Sequence, residues 1–413
     1  MAHAMSSAPP PRLAVQHSLH LGNVSLALGG MLGLASAMGI GRFVYTPILP
    51  AMADGIGLTK SAAGRIAAAN FAGYFLGALL TALPRLPGSR RAWFLGALFA
   101  GAATTAGMGV FDSMPAFVVL RFVGGVASAF VLVFATALVL DRLAAAGRTD
   151  LAPLHFAGVG VGIAVSGAVV DALQAGGTGW RSLWIVTAAI SGMVIPLCAW
   201  LVPGDDPSRK PLSAAPLSHR KPVRGLGRLS VCHGLFGFGY VVTATFLVAA
   251  VRGATGGRSL EAAVWIVVGL AAIPSTAIWG RAGRRCGALP AYGLACLMEA
   301  AGVAAGGLWP GAAGALLAAV LLGGTFMGIT ALGFVAARAL APEQQRRSFA
   351  LMTAAFGAGQ IAGPIAAGWL IDRTHSFALP SMIGAAALVA GAAIALQTAR
   401  QLARPNLASA AVQ

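Results

Sequence analysis

Apolar and polar positions alternate along this chain in whole segments rather than residue by residue. Long apolar stretches separated by short polar loops run near 22–49, 59–83, 91–111, 115–140, 152–174 and 180–202. After a longer gap they resume at 228–251, 260–280, 288–308, 311–340, 348–371 and 377–399. A helix needs about 20 apolar residues to cross the hydrocarbon core of a bilayer, so the pattern predicts twelve spanning helices, six plus six. The gap at 203–227 holds Asp205, Asp206, Arg209, Lys210, Arg220, Lys221, Arg224 and several prolines, and reads as a linker. The expected organisation is a tail (1–21), a first bundle (22–202), the linker (203–227), a second bundle (228–399) and a second tail (400–413).

Composition agrees. Only 9% of the 413 residues are charged and 58% are hydrophobic, with a mean hydropathy of +0.81. Soluble domains carry about a quarter charged residues, because water must solvate their surface. A soluble globular fold is excluded, and an all-α membrane protein is expected. The 56 glycines suit helices that approach closely in lipid.

A net charge of +17 raises the question of nucleic acid, and the location of the charge answers it. With both termini inside, 20 of the 28 Lys and Arg residues fall in cytoplasmic segments, among them Arg85, Arg90, Arg91, Arg142, Arg148, Arg281, Arg284, Arg285, Arg338, Arg346 and Arg347. The opposite side holds Lys60, Arg65, Arg181, Arg252, Arg258 and Arg373. This is the positive-inside bias of a multi-pass protein, here of a bacterial inner membrane, and no nucleic-acid partner is needed to explain it. Cys198, Cys232, Cys286 and Cys296 show no CxxC spacing and read as unpaired thiols. The first twenty residues, with Pro9, Pro10 and Pro11, do not resemble a cleavable leader, so the first apolar segment is expected to serve as an uncleaved signal anchor.

The halves repeat. Gly39-Ile40-Gly41-Arg42-Phe43-Val44 in the first segment parallels Gly237-Phe238-Gly239-Tyr240-Val241-Val242 in the seventh. Gly158, Gly162, Gly167 and Asp171 in the fifth match Gly359, Gly363, Gly368 and Asp372 in the eleventh, at nearly the same offset. Parallel duplication of six helices is a transporter architecture. Nearly the whole chain resembles the YbfB/YjiJ group of the major facilitator superfamily. The residues that carry the likeness run from Gly39 through Arg42 and Tyr45 to Pro50, with Asn70 to Tyr74, His155 to Gly167 and Ala355 to Pro364. Arg121, with Gly125 four residues on, resembles the superfamily's fourth-helix arginine motif. The resemblance implies two pseudo-symmetric six-helix bundles and alternating-access secondary transport through a central cavity. It departs in two loops. Pro84 precedes Arg85, and Gly280 precedes Arg281, where the family pattern has an acid, which puts the charge-relay form of the cytoplasmic gate in doubt.

Charge inside a bilayer is expensive, so a retained one marks function by default. Arg42 lies shortly before Pro47 and Pro50, which are expected to close the first helix, and Arg121 lies at similar depth in the fourth. No acid sits in the core of a first-half helix, because Asp54, Asp112, Asp141 and Asp171 fall at helix ends or in loops. The two guanidinium groups are therefore candidates to bind an anionic substrate. The alternative is a structural role, snorkelling to Asp54 or Asp112, or binding Tyr45, water or main-chain carbonyls.

Tyr45, Asn70, Tyr74, Tyr240, Thr243 and Gln360 are candidates to line the path or to bridge helices. His155 and His233 are candidates for proton coupling, or for packing. Glu299, the sole acid near the middle of a helix, is a candidate proton relay or a structural carboxyl. Pro47, Pro274 and Pro364 are candidate kinks. No HExxH, GxSxG or Walker loop is present, and the glycine run from Gly158 follows no strand. No cofactor, metal or catalysis is expected. The predicted function is proton-coupled secondary transport of a small molecule, an organic anion by preference, with drug efflux as runner-up and a membrane-embedded enzyme or sensor as the distant alternatives. The short tails are expected to leave no room for a signalling domain.

Overall fold

A computed structural model describes residues 11–83, 86–204, 225–255 and 257–410. The linker charges from Asp205 to Arg224, the residues Pro84 and Arg85, and the first ten residues of the N-terminal tail lie outside the described residues. Among the described residues there is no strand, and twelve helices are long and apolar enough to cross a membrane. The first crossing consists of α1 (Pro11–Leu34), a π-helix (Ala35–Ile40) and α2 (Tyr45–Ile56). Five more follow in the first half: α3 (Lys60–Thr81), α4 (Arg90–Val110), α5 (Met114–Ala145), α6 (Ala152–Ala175) and α7 (Trp180–Leu201). The second half holds α8 (Leu226–Thr255), α9 (Arg258–Cys286), α10 (Ala288–Leu308), α11 (Ala312–Leu340), α12 (Gln345–Thr374) and α13 (Ala378–Ala410). The surface of the bundle is apolar where lipid would lie: Trp200 is 80% exposed, Met193 78% and Phe99 68%. In water such a surface would aggregate. It is a multi-pass membrane protein.

Thr59, Ser89 and Ser113 cap α3, α4 and α5, each side chain accepting from a main-chain N–H of the first turn. The first crossing differs from the prolines' expected role. Pro47 and Pro50 do not close it, since α2 runs through both and ends at Gly57, whose φ of +64° forms a left-handed cap. The interruption comes earlier. Gly41 N–H bonds Ser36 and Phe43 N–H bonds Met38, five residues back, before the chain returns to helix at Tyr45. Pro47 offers no N–H to Phe43, whose carbonyl takes the Thr46 N–H instead. That shift leaves the carbonyls of Gly41 and Arg42 without helical donors. By contrast, α9 and α12 continue through Pro274 and Pro364.

The repeat is visible in the packing. Cβ atoms added at Gly158 and Gly162 would strike Met31 and Ala35 of the first crossing, and at Gly359 they would strike Gly234 and Phe238 of α8. Gly167 faces Ile266 on α9, whereas its counterpart Gly368 faces Lys60 on α3. The halves meet along α3 with α12, α6 with α9 and α2 with α8. Contacts across the last seam join repeat-equivalent positions: Thr46 Oγ1 donates to the Ala244 carbonyl at 2.6 Å, 198 residues away. Arg252 meets Asp54 at 2.7 Å, again 198 apart. Equivalent residues touch each other only on the pseudo-twofold axis. α1, the other part of the first crossing, packs on α5, α6 and α7 of its own half.

Candidate functional site

The break in the first crossing and the crossing of α3 over α5 place the first-half candidates together. Gly125 on α5 permits that crossing, because a Cβ there would lie 2.0 Å from the Asn70 carbonyl. Asn70 donates through Nδ2 to the Arg121 carbonyl at 2.9 Å, and its Oδ1 is buried without a partner. Tyr45 donates its hydroxyl to the Ala63 carbonyl at 2.9 Å.

The two arginines, both buried, have different surroundings. Arg121 spans the break: Nη1 donates to Gly41 O at 2.9 Å and Nη2 to Arg42 O at 2.7 Å. A planar guanidinium fork thus replaces the N–H groups that the distorted helix cannot supply. Its carbon also lies 5.2 Å from the Tyr45 ring centre. Arg42 has no such arrangement. Its guanidinium lies 4.1 Å from the Tyr74 ring centre, 4.7 Å from Phe71 and 5.4 Å from Phe43, a cation–π nest. Arg42 Nε and Nη2 are buried without a hydrogen-bond partner.

The snorkelling alternative is corrected. Asp54 pairs with Arg252 and Asp112 with Arg181, because both acids lie at helix ends beside those cations and away from the buried pair.

The second half answers with aromatics. Tyr240 stands at the position equivalent to Arg42. Its ring lies near parallel to Phe356 (5.9 Å, 4°), Phe326 (6.0 Å, 7°) and Phe236 (5.0 Å, 24°). Gln360 donates through Nε2 to the Tyr240 hydroxyl and keeps a buried, unpartnered Oε1. A narrow apolar cavity, with room for little more than a water molecule, lies between the halves, bounded by residues that include Phe43, Ile163, Tyr240, Trp265, Leu322 and Phe326.

The remaining candidates do not line this cavity. His155 packs against Gly30, with Nε2 3.1 Å from Thr136 Oγ1 and Nδ1 unpartnered. His233 sits in the second half among Phe356, Phe334 and Phe236, with Nδ1 3.3 Å from the Tyr292 hydroxyl. Glu299 is fully buried on α10, and neither carboxyl oxygen has a partner. Thr243 on α8 borders a separate groove with Phe246, Phe377 and Ser381. Among the described residues no group of three His, Cys, Asp or Glu side chains is placed to hold a metal.

A family model described as the uncharacterised MFS-type transporter YbfB matches residues 34–396. The chain belongs to that family. No curated protein matches it. Among solved structures, a mutant form of the nucleoside transporter NupG superposes with a TM-score of 0.70 at 15% identity, covering 91% of this chain and 99% of that one. A bacterial homologue of the human lysosomal transporter Spinster, inward-facing and occupied, gives 0.67 at 16% identity, covering 95% and 98%. Its unoccupied form gives 0.68 at 15% identity, covering 92% and 97%. Identities this low establish the fold alone, two pseudo-symmetric six-helix bundles. Family and fold together make the chain an MFS-type membrane transporter.

Charges to which sequence reasoning gave no partner turn out to join elements of this transporter. Arg252 forms a two-toothed pair with Glu261 (2.8 and 2.7 Å) besides its bond to Asp54. Asp372 accepts from the Lys60 and Ser61 N–H groups at 3.0 and 2.7 Å, capping α3 from the other half. The repeat offset was the available signal for the Asp54–Arg252 pair, since it sets opposite charges on equivalent positions. At the other end, Arg90 bonds Asp141 at 2.9 Å and Arg91 reaches the Ala199 carbonyl, all within the first half. Asp141 supplies an acid that the loop itself lacks.

Proposed function

We propose that this transporter carries a small organic anion across the bacterial inner membrane by alternating access, coupled to protons, with both termini in the cytoplasm. The observation that carries the reading is Arg42. A permanently charged group sits buried in the first crossing, one residue before Phe43 of the inter-half cavity, with its Nε and Nη2 atoms unpartnered. Leaving such a charge unpaired in a low-dielectric site is costly, and a carboxylate is the complement that its fork fits. Arg121 is occupied by main-chain carbonyls, so we assign it to holding the break and Arg42 to the substrate. Asn70, Tyr74, Tyr240 and Gln360 surround that place as candidate contacts, and Tyr45 supports the break beside Arg121. The basic-residue bias puts Asp54, Arg252 and Asp372 outside, where the seams are closed.

For coupling we propose Glu299 before His155 and His233, because both of its oxygens lack partners. The test is uptake into proteoliposomes across carboxylates, amino acids and drugs, with and without a pH gradient. Arg42→Gln is expected to lower anion uptake about 30-fold or more, the equivalent of removing one partner of a buried charged pair. Full anion uptake by that variant refutes the assignment, and Glu299→Gln with undiminished gradient dependence refutes the relay. Drug efflux is the second reading, favoured by the apolar aromatic cavity wall. Uptake of lipophilic cations but of no anion would select it.

A further inference from the structure

Glu299 is not isolated within its half. α8 and α10 run in the same direction, because α9 turns back between them, and His233 Nδ1 on α8 lies 3.3 Å from the Tyr292 hydroxyl on α10. That pair sets the register of the two helices. Seven residues further along each, about 10 Å at ~1.5 Å per residue, Tyr240 and Glu299 stand the same 59 positions apart. Along α10, Tyr292, Cys296 and Glu299 follow at steps of four and three, so they share one face. All three are fully buried, as is His233. Groups able to carry a proton therefore form a column inside the second half. Its lower end lies near Leu226 and Ala288, where α8 and α10 begin on the cytoplasmic side of the proposed orientation. Its upper end adjoins the candidate substrate site, because the charges of Arg42 and Glu299 both act on the Tyr240 hydroxyl.

The flanking helices offer Glu299 little else. Thr325 on α11 stands beside it but donates its hydroxyl to the Leu321 carbonyl. α13 meets α10 with Leu396 at Gly293 and Gly384 at Val303, apolar contacts both. Cys232 on α8 is the further titratable group close to Tyr292 and Cys296. Among the described residues no cation acts on Glu299, and both of its oxygens lack partners. A buried carboxyl in that setting needs a proton, and the proton needs a way in and out. His233 keeps its second ring nitrogen, Nε2, unpartnered.

We propose that His233, Tyr292 and Cys296 form the proton path between Glu299 and the cytoplasm. The inference rests on Glu299 as the coupling acid and adds the route that serves it. A proton arriving at His233 Nε2 releases the one on Nδ1 to the Tyr292 oxygen. The Tyr292 proton passes to the Cys296 sulfur, and the thiol's own proton passes to a Glu299 oxygen. Each carrier ends with as many protons as it began with, and Glu299 gains one.

Hydrogen–deuterium exchange at the Glu299 carboxyl tests the path with the proton itself as probe. The purified full-length transporter is moved into heavy water, and the infrared C=O band that Glu299→Gln removes is followed in time. Cys296→Ala and Tyr292→Phe each delete a carrier and little volume. Both are expected to slow the exchange ~100-fold, the lower end of what a positioned proton carrier contributes. Cys296→Ser, which puts back a hydroxyl, should keep the wild-type rate. Wild-type rates in Cys296→Ala and Tyr292→Phe overturn the path and leave Glu299 standing as the coupling acid. Equal slowing in Cys296→Ser and Cys296→Ala makes the thiol a packing residue and overturns the route through it. No carboxyl band sensitive to Glu299→Gln overturns the coupling reading itself. Variants are accepted only with a wild-type gel-filtration profile, and if one carrier variant fails to fold, the other decides.

Discussion

Arg42 and Tyr240 occupy the same place in two copies of one architecture, and they could hardly differ more. The first half puts a guanidinium there and surrounds it with Tyr74, Phe71 and Phe43. The second puts a ring there and surrounds it with rings. The difference repeats one helix pair away, where Arg121 on α5 corresponds to the buried Ala319 on α11, 198 residues on. Duplication gave the halves a common frame of helices and glycine contacts. Function then requires them to diverge where they face each other, because a molecule with a charged end and an apolar end needs two unlike walls. The break shows the same asymmetry: α8 is continuous at the level where the first crossing is interrupted.

Removing Arg121 should break the comparison hardest. Its two bonds to the Gly41 and Arg42 carbonyls are charge-assisted and buried, so Arg121→Gln should cost about 3–6 kcal/mol of stability, at roughly 1.5–3 per bond. Transport should vanish with it, since the loop that presents Arg42 loses its support. At the equivalent place Ala319→Gly should cost about 1 kcal/mol, the ordinary helix penalty. Thermal unfolding of the two purified variants checks this. Similar losses in both would show that Arg121 is one packing residue among many.

Twelve apolar segments, the offset between halves and the arginine pair were all legible in the sequence, because each is a property of residue type or spacing. The break at 35–44 was not. Hydropathy is blind to which carbonyl loses its donor, and Pro47 and Pro50 pointed to a helix end that Gly57 supplies instead. Arg121's partners were invisible for the same reason, being main-chain atoms of another helix. The aromatic wall gathers Phe43, Tyr240, Trp265 and Phe326 from four different crossings. Tyr240 stood out in the sequence as a candidate to line the path, but in their segments the other three rings look like any lipid-facing side chain. His155 and His233 show the reverse limit: they sit at promising depths in the sequence, yet each packs inside its own half and neither lines the cavity.

The seams between halves come next in expected effect. A Cβ at Gly269 would lie 2.3 Å from the Ala164 nitrogen, and one at Gly368 2.3 Å from the Lys60 carbonyl. Backbone cannot yield as a side chain can, so Gly269→Leu and Gly368→Leu should force α6 from α9 and α3 from α12, at about 1–3 kcal/mol each. Uptake should fall at least about 10-fold, as expected for a misplaced site. Gly101 on α4 has no atom within 4 Å of an added Cβ, and Gly101→Ala should be neutral. Normal uptake by the two leucine variants would mean that the halves do not need these close contacts to move.

The smallest effect separates the two acids that share Arg252. The Asp54 side chain is 72% exposed, whereas that of Glu261 is 6% exposed and holds the guanidinium by two bonds. Exposed pairs contribute at most about 1 kcal/mol, so Asp54→Asn should change uptake by no more than about fivefold. Its direction is informative. Among the described residues Asp54 is the first-half acid that pairs with Arg252, so losing it should ease opening on that side and speed any transport step that waits for opening. The wild type should approach the variant's rate in high salt, which screens exposed charge, while the variant should respond to salt far less. Glu261→Gln, by contrast, leaves the cross-half bond in place and removes the partner that orients Arg252 within its own half. It should lower stability more than it alters the salt response. If Asp54→Asn abolished uptake outright, the pair would belong to the substrate's path, and the contrast between a charged and an aromatic wall would extend to the mouth of the transporter.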